Sequence, residues 1–130
     1  VFLNPVKESY LRFGQSKAPK YISWSGENRS QLIRIPAASG EYRRAELRSP
    51  DPMANPYLSY ALLIYAGMYG IENKLDLPPA AEINFFKTDK TTARQYKELP
   101  DTLEEAKALA LKSSFITGHL PESIINIYCK

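Results

Sequence analysis

The spacing of apolar positions changes character near residue 50. Before it, residues 21–24, 31–36 and 43–48 are short runs of β character, separated by Ser25-Gly26-Glu27-Asn28 and Ala37-Ala38-Ser39-Gly40. A short helix over about 7–13 precedes them and ends at Gly14. After residue 50 the signals are helical. Asn55-Pro56 opens a helix, with asparagine as N-cap and proline at the first position, where its missing N–H costs nothing. Residues 57–71 are apolar nearly all round, which predicts burial on most sides, and Gly70 is the predicted stop. Pro78, Pro79 and Pro100 make 76–100 a connecting segment with little regular structure. Thr102-Leu103-Glu104-Glu105 is a capping box opening a helix to about Lys112. A last helix is expected from Pro121, burying Ile124, Ile127 and Tyr128. The chain thus divides into a strand-rich part, 1–50, and a helical part, 51–130, with no internal repeat.

Composition narrows the class. A chain of 130 residues, 44% hydrophobic and 24% charged, can build a core and is one domain or a piece of a larger one. The start, Val1-Phe2-Leu3-Asn4-Pro5, lacks a basic region and a long apolar run, so no secretory signal is expected; without an initiating methionine it reads as an excised piece of a longer chain. The apolar stretch 57–71 is shorter than the roughly 20 residues that span a bilayer, so no membrane partner is expected. Cys129, the single cysteine, cannot form an internal disulfide, and a reducing, cytoplasmic location is the expectation.

Charge is distributed unevenly. The net charge is +3, but six of the seven arginines lie in the first 50 residues, where nine basic and four acidic side chains leave a local excess. Arginine's planar fork suits carboxylate and phosphate, so this part reads as anion-binding. On a strand over 43–48, Arg44, Glu46 and Arg48 share one face, roughly 7 Å apart, placing a carboxylate between two guanidinium groups. Two explanations fit that spacing. One is a surface ion-pair ladder of little energetic weight. The other is a face on which arginines grip an anionic substrate and Glu46 holds a metal ion, as phosphoryl transfer requires. His119, the only histidine, is expected to be structural or at the surface rather than catalytic or metal-binding. No phosphate loop, Ser/His/Asp set or Cys/His cluster is present, and with acids interleaved among the bases no nucleic-acid partner is expected.

Longer stretches carry a resemblance. Asn28-Arg29-Ser30-Gln31-Leu32-Ile33-Arg34-Ile35-Pro36 resembles the NRS-x-x-(I/V)RIP segment of glutamine synthetases. Residues 44–52 and 54–58 resemble that family's R-(I/A)-E-x-R-x-PDP-x-ANPYL signature. Asn4-Pro5 with Ser9-Tyr10 and Arg12, and Gly70-Ile71-Glu72-Asn73-Lys74, match two further segments in the same order. The chain is similar to the C-terminal part of the catalytic domain, type I-like. The resemblance implies an α+β fragment, short antiparallel strands of a larger curved sheet followed by helices. It also implies a ligase that makes glutamine from glutamate, ATP and ammonia through γ-glutamyl phosphate, with Mg²⁺ or Mn²⁺. By motif position, Arg12 and Arg48 would hold the amino-acid carboxylate or the transferring phosphoryl group. Arg29, Arg34 and Arg44 would contact ATP, and Glu46 would be a metal ligand. The family forms double-ring homo-oligomers, and a piece cut from it should expose sheet edges and apolar faces that favour self-association.

Three departures from the family pattern matter. Lys17 precedes Ala18-Pro19 where relatives place a glutamate that helps deprotonate ammonium, and the loop is one residue shorter. An organic amine as acceptor, as in γ-glutamyl-amine ligases, is therefore an alternative. Glu41 stands where many relatives have a basic residue near the nucleotide. Phe86, after Asn84-Phe85, lacks the hydroxyl of the adenylylated tyrosine, so no adenylylation is expected there. A non-catalytic structural or regulatory relative is a further alternative. The earlier stretch that supplies the other metal ligands in the family is absent, so these 130 residues alone are expected to be inactive.

Overall fold

The computed structural model describes residues 1–15 and 18–130. The elements in chain order are α1 (Lys7–Leu11), β1 (Trp24–Ser25), β2 (Ile33–Arg34), a 3-10 turn (Gly40–Tyr42), β3 (Glu46–Leu47), α2 (Pro56–Glu72), α3 (Lys90–Ala93), α4 (Leu103–Lys112), α5 (Ser114–His119) and α6 (Glu122–Cys129). This is the expected α+β fragment. The chain forms two compact units.

The first unit comprises Val1–Tyr10, Asp51–Leu77 and Pro100–Lys130. Its helices start where the caps predict. The Asn55 side chain accepts from the N–H groups of Tyr57 and Leu58, and Thr102 Oγ1 accepts from Glu105 N–H while the Glu105 carboxylate accepts from Asp101 N–H. Its core joins Phe2, Leu62, Ala110, Leu120, Ile125 and Cys129. Tyr10 is buried and donates to the Asn4 carbonyl at 2.9 Å; burial pushes its hydroxyl pKa up to about 12.

Three expectations are corrected here. Helix α2 passes Gly70 and ends at Glu72, because Lys74 (φ 48°) adopts the left-handed conformation. There Lys74 N–H reaches Ile71 O and Leu75 N–H reaches Gly70 O, the paired bonds of a Schellman ending. Ile127 is 73% exposed, since α6 turns Ile125 and Cys129, four residues apart, into the core. Most important, α2 is not buried on most sides. Only Ser59 and Leu62 are buried, and Tyr57, Tyr60, Ile64 and Ile71 lie open.

The second unit comprises Leu11–Pro50 and Pro78–Leu99. Its sheet has the order β1-β2-β3, with β2–β3 antiparallel as expected and β1–β2 parallel. The parallel pair is possible over a short connection because residues 26–32 fold back on side-chain bonds. Ser25 Oγ accepts from Asn28 N–H, and Asn28 Oδ1 accepts from Ser30 N–H at 2.9 Å. Each strand is two residues long, well short of the predicted runs. Pro36 and Pro50 have no N–H with which to extend the ladder.

Segment 78–99 is tied to the sheet by polar groups. Ala81 N–H donates to Trp24 O, Trp24 Nε1 donates to Pro78 O, and Asn28 Nδ2 donates to Ile83 O. At the centre is Gln31, fully buried. It donates to the carbonyls of Ala81 (2.9 Å) and Ile83 (2.7 Å) and accepts from Ser23 Oγ (2.6 Å). The segment carries one helical turn, α3, capped by Asp89, which the sequence pattern did not show. Gln31→Leu preserves volume but leaves the Ala81 carbonyl without its partner and the Ser23 hydroxyl with only the Tyr21 carbonyl. It is expected to destabilise the unit by about 1–3 kcal/mol, read as a lower urea midpoint by Trp24 fluorescence; an unchanged midpoint contradicts the role of Gln31.

Candidate anion-binding site

Five arginines of the second unit, Arg12, Arg29, Arg34, Arg44 and Arg48, lie on β2, β3 or the segments beside them. Because β2 and β3 pair Arg34 with Glu46, the two side chains meet across the ladder. Arg34 Nη1 donates to both Glu46 oxygens at 3.0 Å, and Arg34 Nε donates to the Glu27 carbonyl at 3.1 Å. Arg44 Nη2 reaches Glu46 Oε1 at 3.3 Å, while its Nη1 donates to the Tyr42 carbonyl. Glu46 is therefore held between two guanidinium groups, but not the pair predicted. Its partners are Arg34 and Arg44 rather than Arg44 and Arg48, because the antiparallel register sets Arg34 directly opposite Glu46.

Arg48 is the unusual member. Its Nη1 is buried and makes no hydrogen bond among the described residues. Burial lowers its pKa, the Glu46 charge acts in the opposite direction, and the positive charges of Arg29 and Arg34 lower it further. Arg29 is exposed and is the one residue of Asn28-Arg29-Ser30-Gln31 not used in tying the loop or segment 78–99. Arg12 Nη2 donates to the Ser49 carbonyl, beside Arg48, and its guanidinium carbon lies 5.6 Å from the Phe13 ring centroid. Lys17 lies outside the described residues. The cluster thus gathers more guanidinium charge than the one carboxylate offsets, and includes a buried donor without a partner. Such an arrangement favours an oxyanion.

The hydrogen bonds from Arg34 lead in holding the Glu46 carboxyl below its usual 4.5, with the charges of Arg34 and Arg44 adding to them. A depressed folded pKa means the contribution to stability is present above the unfolded pKa. It is lost as pH falls through the folded one. By carbon-detected NMR, the Glu46 carboxyl is expected to titrate below the ordinary glutamate range, and Arg34→Gln to move it back up. A midpoint unaffected by that substitution contradicts the pairing.

A metal centre is a different matter. Mg²⁺ takes about six oxygen ligands, whereas the cluster offers one carboxylate already bonded to two arginines. No group of three or more His, Cys, Asp or Glu that could hold a metal occurs among the described residues. The described residues do not make a metal site by themselves.

His119, as expected, is structural. Its ring packs 4.6 Å from both Tyr65 and Phe115, and its Nδ1 lies 2.7 Å from the Phe115 carbonyl. The sequence reading missed this aromatic cluster, although Tyr65, Tyr69, Phe115 and His119 stand at the four-residue spacing that stacks side chains on a helix.

Comparison with known proteins places these features in context. Residues 1–130 match the family model described as "Glutamine synthetase, catalytic domain". The chain is 45% identical over 128 residues to a glutamine synthetase of Methanosarcina mazei, covering 96% of this chain and 29% of that protein. It is 44% identical over 124 residues to one of Thermus thermophilus (93% and 28%) and 40% identical over 126 residues to one of Staphylococcus epidermidis (95% and 28%). The chain therefore spans under a third of the length of these relatives.

Proposed function

This chain belongs to the glutamine synthetase catalytic-domain family, and from that premise we propose that it supplies the arginine face of an ATP-dependent carboxylate–amine ligase. The full-length protein would join glutamate to ammonia through γ-glutamyl phosphate. The observation that carries this reading is the buried, unpartnered Nη1 of Arg48 within a cluster of like charge.

Transfer of a phosphoryl group needs positioned positive charge more than covalent help from the protein. Arg48, with its Nη1 already buried, would hold the transferring oxyanion, with Arg12 beside it on the amino-acid carboxylate. Arg29, Arg34 and Arg44 would face the phosphates of ATP. Arg34 spends Nε and Nη1 on the chain itself, so it orients the cluster as well as contributing charge. The resemblance adds Mg²⁺ or Mn²⁺, toward which Glu46 would contribute one ligand and the rest of the protein the others. Double-ring assembly and a cytoplasmic setting belong to the same proposal.

Phosphate release by the full-length protein with ATP, Mg²⁺ and glutamate tests it. Release is expected to need both glutamate and ammonium, while the 130-residue chain alone yields no ADP above background. Release supported only by an organic amine would change the acceptor, the outcome Lys17 favours. Silence from a folded full-length protein would leave a non-catalytic relative.

A further inference from the structure

The 3-10 turn Gly40–Tyr42 carries an aromatic ring that the second unit does not use. None of the residues of the turn is buried. Tyr42 is 70% exposed, its ring packs on no other ring, and its hydroxyl makes no hydrogen bond among the described residues. The other rings of the unit are more enclosed. Tyr21, Phe85 and Tyr96 pack together at centroid distances of 4.6 and 5.0 Å. Phe13 faces the Arg12 guanidinium, Trp24 donates to the Pro78 carbonyl, and Phe86 is 40% exposed.

The turn is joined to the anion-binding cluster. Gly40 (φ 58°) makes the reversal, and Tyr42 N–H and Arg43 N–H donate to the Ser39 and Gly40 carbonyls, each at 3.3 Å. Arg44 Nη1 then donates to the Tyr42 carbonyl at 3.3 Å while its Nη2 reaches Glu46. Ring and guanidinium thus stand on backbone positions no more than about 7 Å apart. Charge gives the segment a direction. Glu41 is exposed and forms no ion pair among the described residues. Its carboxylate disfavours phosphate at the turn, whereas Arg34 and Arg44 favour it on the β2–β3 side. A nucleotide bound there presents its phosphates to the arginines and its uncharged base to the turn.

We infer that the Tyr42 ring stacks on the base of the nucleotide and so determines selection of a nucleoside triphosphate, an assignment that rests on the ATP-dependent reading above. A phenol ring suits that task because every base has a π-face, and stacking asks nothing of the base's hydrogen-bonding edge. Tyr42 therefore selects for the presence of a base and not for its identity. A bare polyphosphate meets the same arginines and has nothing to lay on the ring.

Equilibrium binding of ATP and of inorganic tripolyphosphate to the full-length protein, with Mg²⁺ and without glutamate, tests this. Tyr42→Ala is expected to weaken ATP about tenfold, the 1.4 kcal/mol of one base–aromatic stack, and to leave tripolyphosphate unchanged. Tyr42→Phe keeps the ring and is expected to bind ATP as the wild type does. In turnover, Tyr42→Ala should raise the KM for ATP with little change in kcat. Unchanged ATP affinity in Tyr42→Ala overturns the inference. Equal weakening of ATP and tripolyphosphate overturns it too, because the effect then acts through Arg44. A Tyr42→Phe protein as weak as Tyr42→Ala assigns the contact to the hydroxyl and overturns stacking. In each of these cases a wild-type protein that binds ATP retains the proposed function, whereas one that binds no ATP loses both.

Discussion

Arg48→Ala in the full-length protein is expected to lower glutamate-dependent phosphate release by about 10³-fold, the low end of what an arginine facing a transferring phosphoryl group contributes. The reason lies in its surroundings. Arg48 Nη1 is buried and makes no hydrogen bond among the described residues, and Arg29 and Arg34 add like charge. The part of the guanidinium already out of water need not be desolvated again when an oxyanion arrives. The loss should fall on kcat more than on KM. Arg48→Lys keeps a charge but not the planar fork, so it should recover only part of the rate. A wild-type rate in Arg48→Ala would remove Arg48 from the chemistry and with it the observation on which the proposed function rests.

Glu46→Gln is expected to cost about 10²-fold or more, by a different route. Glutamine keeps the shape of the side chain but removes the charge that holds Arg34 at 3.0 Å and Arg44 at 3.3 Å. Both guanidinium groups then keep only their bonds to the Glu27 and Tyr42 carbonyls and a weaker one to the amide, and any carboxylate ligand to a divalent ion is lost as well. Unlike Arg48→Ala, this change should raise the KM for ATP, because the arginines it releases are those proposed to face the phosphates. Unchanged steady-state constants in a folded Glu46→Gln protein would reduce Glu46 to a surface ion pair.

Sequence alone determined the features that depend on near neighbours along the chain. Asn55, Thr102 and Glu105 mark their helix starts because capping is satisfied within a turn. The α+β order follows from the change in apolar spacing near residue 50. The concentration of arginines before residue 50, and the motifs that carry the family resemblance, are also plain in the linear chain. Tertiary structure decided what depends on residues far apart. Strand spacing placed Glu46 beside Arg44 and Arg48, yet pairing across the ladder replaced Arg48 with Arg34. Asn28, Ser30 and Gln31 sit in an arginine-bearing motif, but segment 78–99, some 50 residues on, makes them its hydrogen-bonding anchors. Helix α2 shows the limit most clearly. Its apolar pattern predicts burial on most sides, yet Tyr57, Tyr60, Ile64 and Ile71 lie open, because burial depends on the segments packed against a helix and not on its own side chains alone.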